Sequence, residues 1–359
     1  MQLYFCPKTW HGIPEDFQHH EVYPWVADLP SSKKIYCVFW ASWDDRFNLP
    51  PEYDHYLISY HIENINLPWL HKQRQQVHGK FVVLHPGNHY DYQLPNTEFA
   101  THVTWHRDCA LLIDWWGIQP TPEKKQYKYS AVCNRMSQGK LWIITKLLET
   151  AKDQSLLVLN QWIEPKNVHK WKLTNNAELD LLTTTFLEKY KGLELKDGFD
   201  QRDNSQRHNS NPWQPLYTDT ALHFVLGSFH YSYMAAEDHS PYIYPGPDID
   251  EKTLKCLVAG TPFVPASQFD IYGTLSQLGL KFDYGFDTSW DQDTGNISRF
   301  QSICRLIDYL NQYSIDDIVD MTQESTKYNQ EFIISGDFYR VCEDKNIQVI
   351  NNIFQSMGE

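Results

Sequence analysis

Nowhere in the 359 residues do 18 apolar residues run together, so no membrane-spanning helix is expected. Met1 to Trp10 carries an isolated Lys8 and no apolar core, so no signal peptide is expected either. Cysteine is sparse and unpaired in pattern: residues 6, 37, 109, 133, 256, 304 and 342 make an odd set without a CxxC pair. That excludes a short-range disulfide framework and points to reduced thiols and a cytoplasmic location. Positive charge is also short, with 31 Lys and Arg against 45 Asp and Glu and a net charge of -14. A generic polyanion-binding surface is thereby excluded, although Lys72, Arg74, His78 and Lys80 could line a local basic strip. No GxSxG elbow, Walker GxxxxGK[ST] loop or strand-following GxGxxG is present, which removes the commonest hydrolase, NTPase and dehydrogenase readings, and without HExxH or paired Cys/His spacing no structural zinc site is expected. There is no internal repeat and no low-complexity segment.

What the chain has in abundance is aromatic side chains, with 13 Trp, 22 Tyr and 18 Phe, within a 42% hydrophobic composition. This is enough for two ordinary domains with large cores and rings to spare for a cleft. In the first third, the runs Lys34 to Trp40, Tyr56 to Tyr60 and Lys80 to Leu84 are β-branched or aromatic and end at turn signals. Leu67 to Gln76 has helical spacing through Trp69, Leu70 and Gln73, and Phe99 to Trp116 carries a helical stripe through Val103, Leu111, Leu112 and Trp115. Strand-helix alternation predicts a parallel α/β domain. Residues Gln119 to Lys128, with two prolines and no apolar period, read as a linker. The predicted domains are therefore 1–126 and 127–359.

The second domain opens with a βαβ pattern: strand Tyr129 to Cys133, polar loop Asn134 to Gly139, helix Lys140 to Ala151 and strand Ser155 to Leu159. Its first loop lies at the carboxyl end of a strand, where α/β sheets place ligands. Glu194 to Trp213 reads as a polar surface loop. A strand at His223 to Ser228, a helix from Asp250 to Ala259, a strand at Pro262 to Pro265 and a helix at Asp270 to Leu278 follow. Helices are expected at Asn296 to Tyr313, Asp316 to Tyr328 and Ile347 to Met357.

The stretch Tyr242 to Phe263 is the most informative. A Pro-Gly-Pro loop leads to Asp248 and Asp250 as N-caps, Glu251 and Lys252 in the first helical turn, and Gly260-Thr261-Pro262 as a stop. Such a helix start attracts a diphosphate through its backbone N–H groups, with Lys252 adding a charge and Glu251 able to accept from ribose hydroxyls. The same residues also make an ordinary capped, solvated helix start. Asp248-Ile249-Asp250 has the DxD form of metal-dependent sugar transferases, but it precedes a helix rather than ending a strand, so no metal site is expected.

Asp250-Glu251-Lys252-Thr253-Leu254-Lys255, then Ala259-Gly260-Thr261-Pro262-Phe263, Leu278 to Phe282, Asp287, Ser289-Trp290-Asp291 and Arg299, resemble the donor-binding half of glycosyltransferases of bacteriophages and large viruses. These are in turn distantly similar to α1,3-fucosyltransferases. The resemblance covers roughly residues 128 to 330. It implies two facing Rossmann-like domains of the GT-B type, and Glu251, Lys252 and Thr253 as nucleotide-binding residues. Asn134 and Arg135 match the family's Asn-Arg pair after the first strand, and Lys140 stands where a second basic residue, usually Arg, is expected. Lys in place of Arg loses the bidentate fork. Asp287 and Asp291 fall on the donor-sugar side. In the first domain, Leu57 to Glu63 resembles a Ser-x-His-x-Glu segment of the same viral group, which makes His61 and Glu63 the candidate bases for the acceptor hydroxyl.

The expectation is thus a cytoplasmic, virus-encoded transferase that takes a sugar from a UDP- or GDP-sugar, with no cofactor required. The acceptor is a glycan or, as the alternative, a hydroxylated pyrimidine in phage DNA. A non-catalytic nucleotide- or sugar-binding protein is the reading from another class.

Overall fold

The computed structural model describes residues 2–5, 34–39, 48–59, 65–85, 94–101, 109, 113, 124–133, 138–159, 177–190, 215–227, 242–243, 249, 251–266 and 269–356. The chain is mixed α/β, with two parallel sheets in a Rossmann-like pattern. Its compact units are built from several segments each: unit 1 from Met1–Thr104, Tyr233–Asp248 and Tyr339–Glu359, and unit 2 from Trp105–Ser232 and Ile249–Phe338. The expected break at 126/127 lies between the strands of the two sheets, whereas the first change of unit falls at Thr104/Trp105 and unit 1 also takes up later pieces of chain.

Unit 1 holds a five-stranded parallel sheet of β1 (Gln2–Phe5), β2 (Lys34–Phe39), β3 (His55–Ser59), β5 (Lys80–His85) and β6 (Thr97–Thr101), in the order β1-β2-β3-β5-β6. A two-residue strand β4 (Ile65–Asn66) pairs antiparallel with β10 (Tyr242–Ile243). Strands such as KFVVLH are apolar without alternation because a parallel sheet is covered on both faces. Helix α1 (Leu67–Gln76) sets Trp69 and Leu70 into a core with Val38, Tyr56, Ile58, Phe81 and Val83. The Arg74 guanidinium lies 4.7 Å from the Phe81 ring centroid and donates to the Gly79 carbonyl, so it is committed to packing. Lys72, His78 and Lys80 are exposed.

Phe99 to Thr101, expected to open a helix, instead belong to β6 in register with β5. Pairing along the sheet edge outweighs a helical apolar stripe that does not begin until Val103.

Unit 2 holds a four-stranded parallel sheet ordered β11-β9-β7-β8: β7 (Tyr127–Cys133), β8 (Ser155–Leu159), β9 (Thr220–Val225) and β11 (Phe263–Pro265). Around it lie α2 (Gln138–Thr150), α3 (Ala177–Lys189), the single turn α4 (Pro215–Thr218), α5 (Glu251–Ala259), α6 (Ile271–Ser276), α7 (Asn296–Leu310) and α8 (Ile315–Ile334). The last helix, α9 (Asp337–Ser356), runs from unit 2 into unit 1. Its first half was not expected from sequence, because only the narrow row Phe338, Cys342 and Asn346 is buried there. Ser314 begins α8 with a capping box, its Oγ accepting from Asp317 N at 3.1 Å while Asp317 Oδ2 accepts from Ser314 N at 2.8 Å.

The turn α4 is clamped at three successive carbonyls. Ser130 Oγ donates to Leu216 O at 2.6 Å, Thr261 Oγ1 to Tyr217 O, and Lys125 Nζ to Thr218 O at 2.5 Å. Lys125, at the end of the expected linker, is thus part of the fold, and burial brings its ammonium down to about 8. Among the described residues no helix is long and apolar enough to cross a membrane.

Helix α5 ends in a Schellman motif: Gly260 N donates to Leu257 O at 3.3 Å and Thr261 N to Cys256 O at 2.9 Å, with Gly260 at φ +65°. A Cβ on Gly260 would also meet the Gln330 side chain, whose Nε2 donates to Val258 O at 3.0 Å. Gly260→Ala is expected to cost about 1–2 kcal/mol through its left-handed backbone. Urea unfolding checks this, with a lowered midpoint and an unchanged slope as the expected result.

Candidate functional site

Two lysines of unit 2 act electrostatically at the carboxyl end of β7. β7 is central, paired with β8 on one side and β9 on the other, and buried from Lys128 to Cys133. Helix α2 starts five residues beyond Cys133, with Gly139 and Lys140 in its first turn. Helix α5 begins at Glu251, with Lys252 and Thr253 in its first turn. Lys140 is 2% exposed, Lys252 6% and Thr253 2%.

Burial pushes the Cys133 thiol up to about 11, and the charges of Lys140 and Lys252 both act against that rise, so both lysines make themselves felt electrostatically at the carboxyl end of β7. Two helix N-termini and two low-exposure ammonium groups at one strand end favour an anion there. The structure therefore places Lys140 in the first turn of α2, and Lys252 and Thr253 in the first turn of α5, all within unit 2. The Glu251 backbone opens α5, while its side chain lies outside the described residues. Asn134, Arg135, His61 and Glu63 also lie outside them, as do Asp248, Asp250 and the loop 194–213.

Under the first turns of α5 sits His223, unanticipated from sequence and fully buried on β9. Its Nδ1 is 2.8 Å from Ser130 Oγ. That hydroxyl has already given its only proton to Leu216 O, so Nδ1 carries the proton and donates to Ser130. The Nε2 lone pair has no partner among the described residues. Burial, with the charges of Lys252 and Lys255 nearby, pushes the imidazole down to about 3. A neutral histidine here adds no further charge beneath the two lysines.

Asp287 and Asp291, both expected from the resemblance on the donor-sugar side, have different surroundings. Asp287 is exposed and caps its own turn, accepting from Ser289 N at 2.9 Å and Ser289 Oγ at 3.0 Å. Asp291 is 2% exposed and holds the start of α6. Its Oδ1 accepts from Ile271 N at 3.0 Å, its Oδ2 from Tyr272 N at 2.9 Å and Gly273 N at 3.4 Å, and its carbonyl from Asp270 N at 2.5 Å. Fully buried Arg299 is attracted to it and donates from NH1 to Asp293 O at 3.1 Å, while burial lowers the guanidinium to about 10. Burial also lifts Asp291 to about 7 against those three N–H bonds. Among the described residues no three His, Cys, Asp or Glu side chains are grouped to hold a metal ion. The described cysteines, Cys37, Cys109, Cys133, Cys256, Cys304 and Cys342, are free thiols.

These two buried groups shape stability against pH in opposite senses. The raised Asp291 binds its proton more tightly when folded, so its contribution is full below the ordinary carboxylate value and is lost as pH rises towards 7. The depressed His223 contributes fully above its ordinary value near 6.5, and loses that contribution as pH falls towards 3. Asp291→Asn is expected to flatten stability between pH 4 and 7, and His223→Asn to flatten the acid limb below 6.5. Urea midpoints measured across pH 3.5–8 check both, and an unchanged pH profile in either variant would remove that group from the account. No protein-family model, curated protein or solved structure matches the chain.

Proposed function

We propose that the chain is a nucleotide-sugar-dependent glycosyltransferase of the GT-B type, with the donor bound in unit 2. The observation that carries this reading is the pair of low-exposure lysines, Lys140 and Lys252, each in the first turn of a helix and each acting electrostatically on Cys133 at the carboxyl end of β7. That arrangement suits a diphosphate, which carries several charges and many acceptor oxygens. The charge that develops on the leaving diphosphate falls on Lys252 and Lys140, with Arg135 as a third cation by its place in the sequence. Glu251 is positioned by sequence to take the ribose hydroxyls, Thr253 to line the same helix start, and Asn134 to accompany Arg135. Asp287 is the exposed carboxylate of the pair assigned to the donor sugar, whereas Asp291 supports the scaffold. His61 or Glu63 takes the proton from the acceptor hydroxyl as the glycosidic bond forms.

The acceptor is a glycan or a hydroxylated pyrimidine base in DNA. If the acceptor is DNA, the exposed Lys72, His78 and Lys80 of unit 1 are the side chains to contact its phosphates. DNA binding through such a strip falls steeply between 50 and 200 mM salt, and a flat salt profile would count against DNA as the acceptor.

Lys252→Ala is expected to abolish stabilisation by UDP and GDP while far-ultraviolet circular dichroism stays unchanged. At about a hundred times its dissociation constant, a nucleotide adds roughly 2.7 kcal/mol to the wild-type protein, which thermal unfolding detects readily. Nucleotide stabilisation retained in the variant would overturn the site assignment. Absence of sugar transfer or donor hydrolysis by a nucleotide-binding wild-type protein would favour a non-catalytic binding module.

A further inference from the structure

We propose that Phe300 is a positioning residue for this anion site: its ring, seated against Gly139, fixes where α2 starts and hence where the Lys140 ammonium stands against a bound diphosphate. The inference rests on the nucleotide-binding reading above. Gly139 is buried, and a Cβ built on it would collide with the far edge of the Phe300 ring. The glycine is therefore required by close approach. Three residues on, Trp142 stacks on the same ring, with centroids 6.4 Å apart and planes at 26°. One fully buried side chain thus grips the first turn of α2 at two points on either side of Lys140.

Phe300 is itself held in place. Its neighbour Arg299 is fully buried, lies 5.9 Å from the Phe300 ring centroid and is drawn to Asp291, which organises the start of α6. The scaffold carboxylate Asp291 thereby acts at a distance, through Arg299 and the start of α7, on a cation of the nucleotide site. A rigid support is what makes one ammonium selective for phosphate, because displacement of a charged group by about 1 Å is enough to weaken its contact severely.

The test compares full-length wild type, Gly139→Ala, Phe300→Leu, the double variant and Trp142→Leu by titration calorimetry with UDP, GDP, uridine and guanosine. Each single change at 139 or 300 is expected to lower the preference for diphosphate over nucleoside by on the order of tenfold, the value of one charge-assisted hydrogen bond, with nucleoside affinity maintained. A leucine at position 300 is smaller than the phenyl ring and leaves room for the added methyl, so the double variant is expected to lose less than the product of the two single effects. Trp142→Leu, at a half-buried position, gives a folded second probe with a smaller loss in the same direction. A wild-type protein that binds neither diphosphate overturns the nucleotide reading and this inference together. A wild type that prefers diphosphate, with variants that keep the preference or a double variant whose effects simply multiply, overturns this inference alone.

Discussion

The second unit depends on one buried carboxylate. Asp291 accepts hydrogen bonds from three consecutive backbone N–H groups at the start of α6, and its own carbonyl takes a fourth from Asp270. A six-residue helix leaves most of its amides without intrahelical partners, and in a buried setting each unmet donor is costly. Asp291 removes that cost at a single point and brings an opposite charge to Arg299, whose guanidinium would otherwise be very expensive to bury. Local geometry is shaped to the same end. Asp270 sits at φ +61° with its Oδ1 bound to Gln292 Nε2 at 2.7 Å, and Gly273 leaves the space that Asp270 Oδ1 fills.

From there the consequences run along α7. Arg299 and Phe300 occupy adjacent positions, so the polar and the aromatic halves of the scaffold move together, and the ring meets α2 where a glycine allows it. The sheet provides the second support. Ser130 on β7 links His223 on β9 to the turn α4, and Thr261 and Lys125 secure the next two carbonyls of that turn. Both lysines of the candidate site are thereby mounted on regular elements that buried polar contacts hold in place. An electrostatic site needs this kind of support, because preorganised charges act without reorganising when the ligand arrives.

His223 shows how the electrostatics of the site are balanced. A protonated imidazole beneath Lys252 and Lys255 would add a third cation in a dry environment, and its Nε2–H would need an acceptor. The hydrogen bond to Ser130 fixes the neutral tautomer instead. Positive charge at the end of β7 therefore comes from lysines whose chains are long enough to reach a ligand, while the histidine below them remains a polar, uncharged part of the sheet packing.

Much of the architecture was legible in the chain itself. Unbroken apolar runs such as those of β5 and β8 require parallel strands covered on both faces, and the 3.6-residue stripe through Ile144, Leu147 and Leu148 requires a helix lying on them. The helix starts expected at Lys140 and Asp250 fall within two residues of the observed ones at Gln138 and Glu251, and with them came Lys140 and Lys252. Burial and partnership were not legible, because they depend on residues far apart in sequence. Asp287 and Asp291 read alike in the chain, and only packing exposes one and encloses the other beside Arg299. Gly139 reads as a loop end until the Phe300 ring, from a helix much later in the chain, is set against it. Phe99, expected to open a helix, is extended because β5 offers it a partner. Sequence by itself determined most of the strands and helices, since hydrophobic period is a local property. Which charged groups serve the site and which hold the scaffold was decided only by tertiary structure, since desolvation and hydrogen-bond supply are set by neighbours that the chain order does not place side by side.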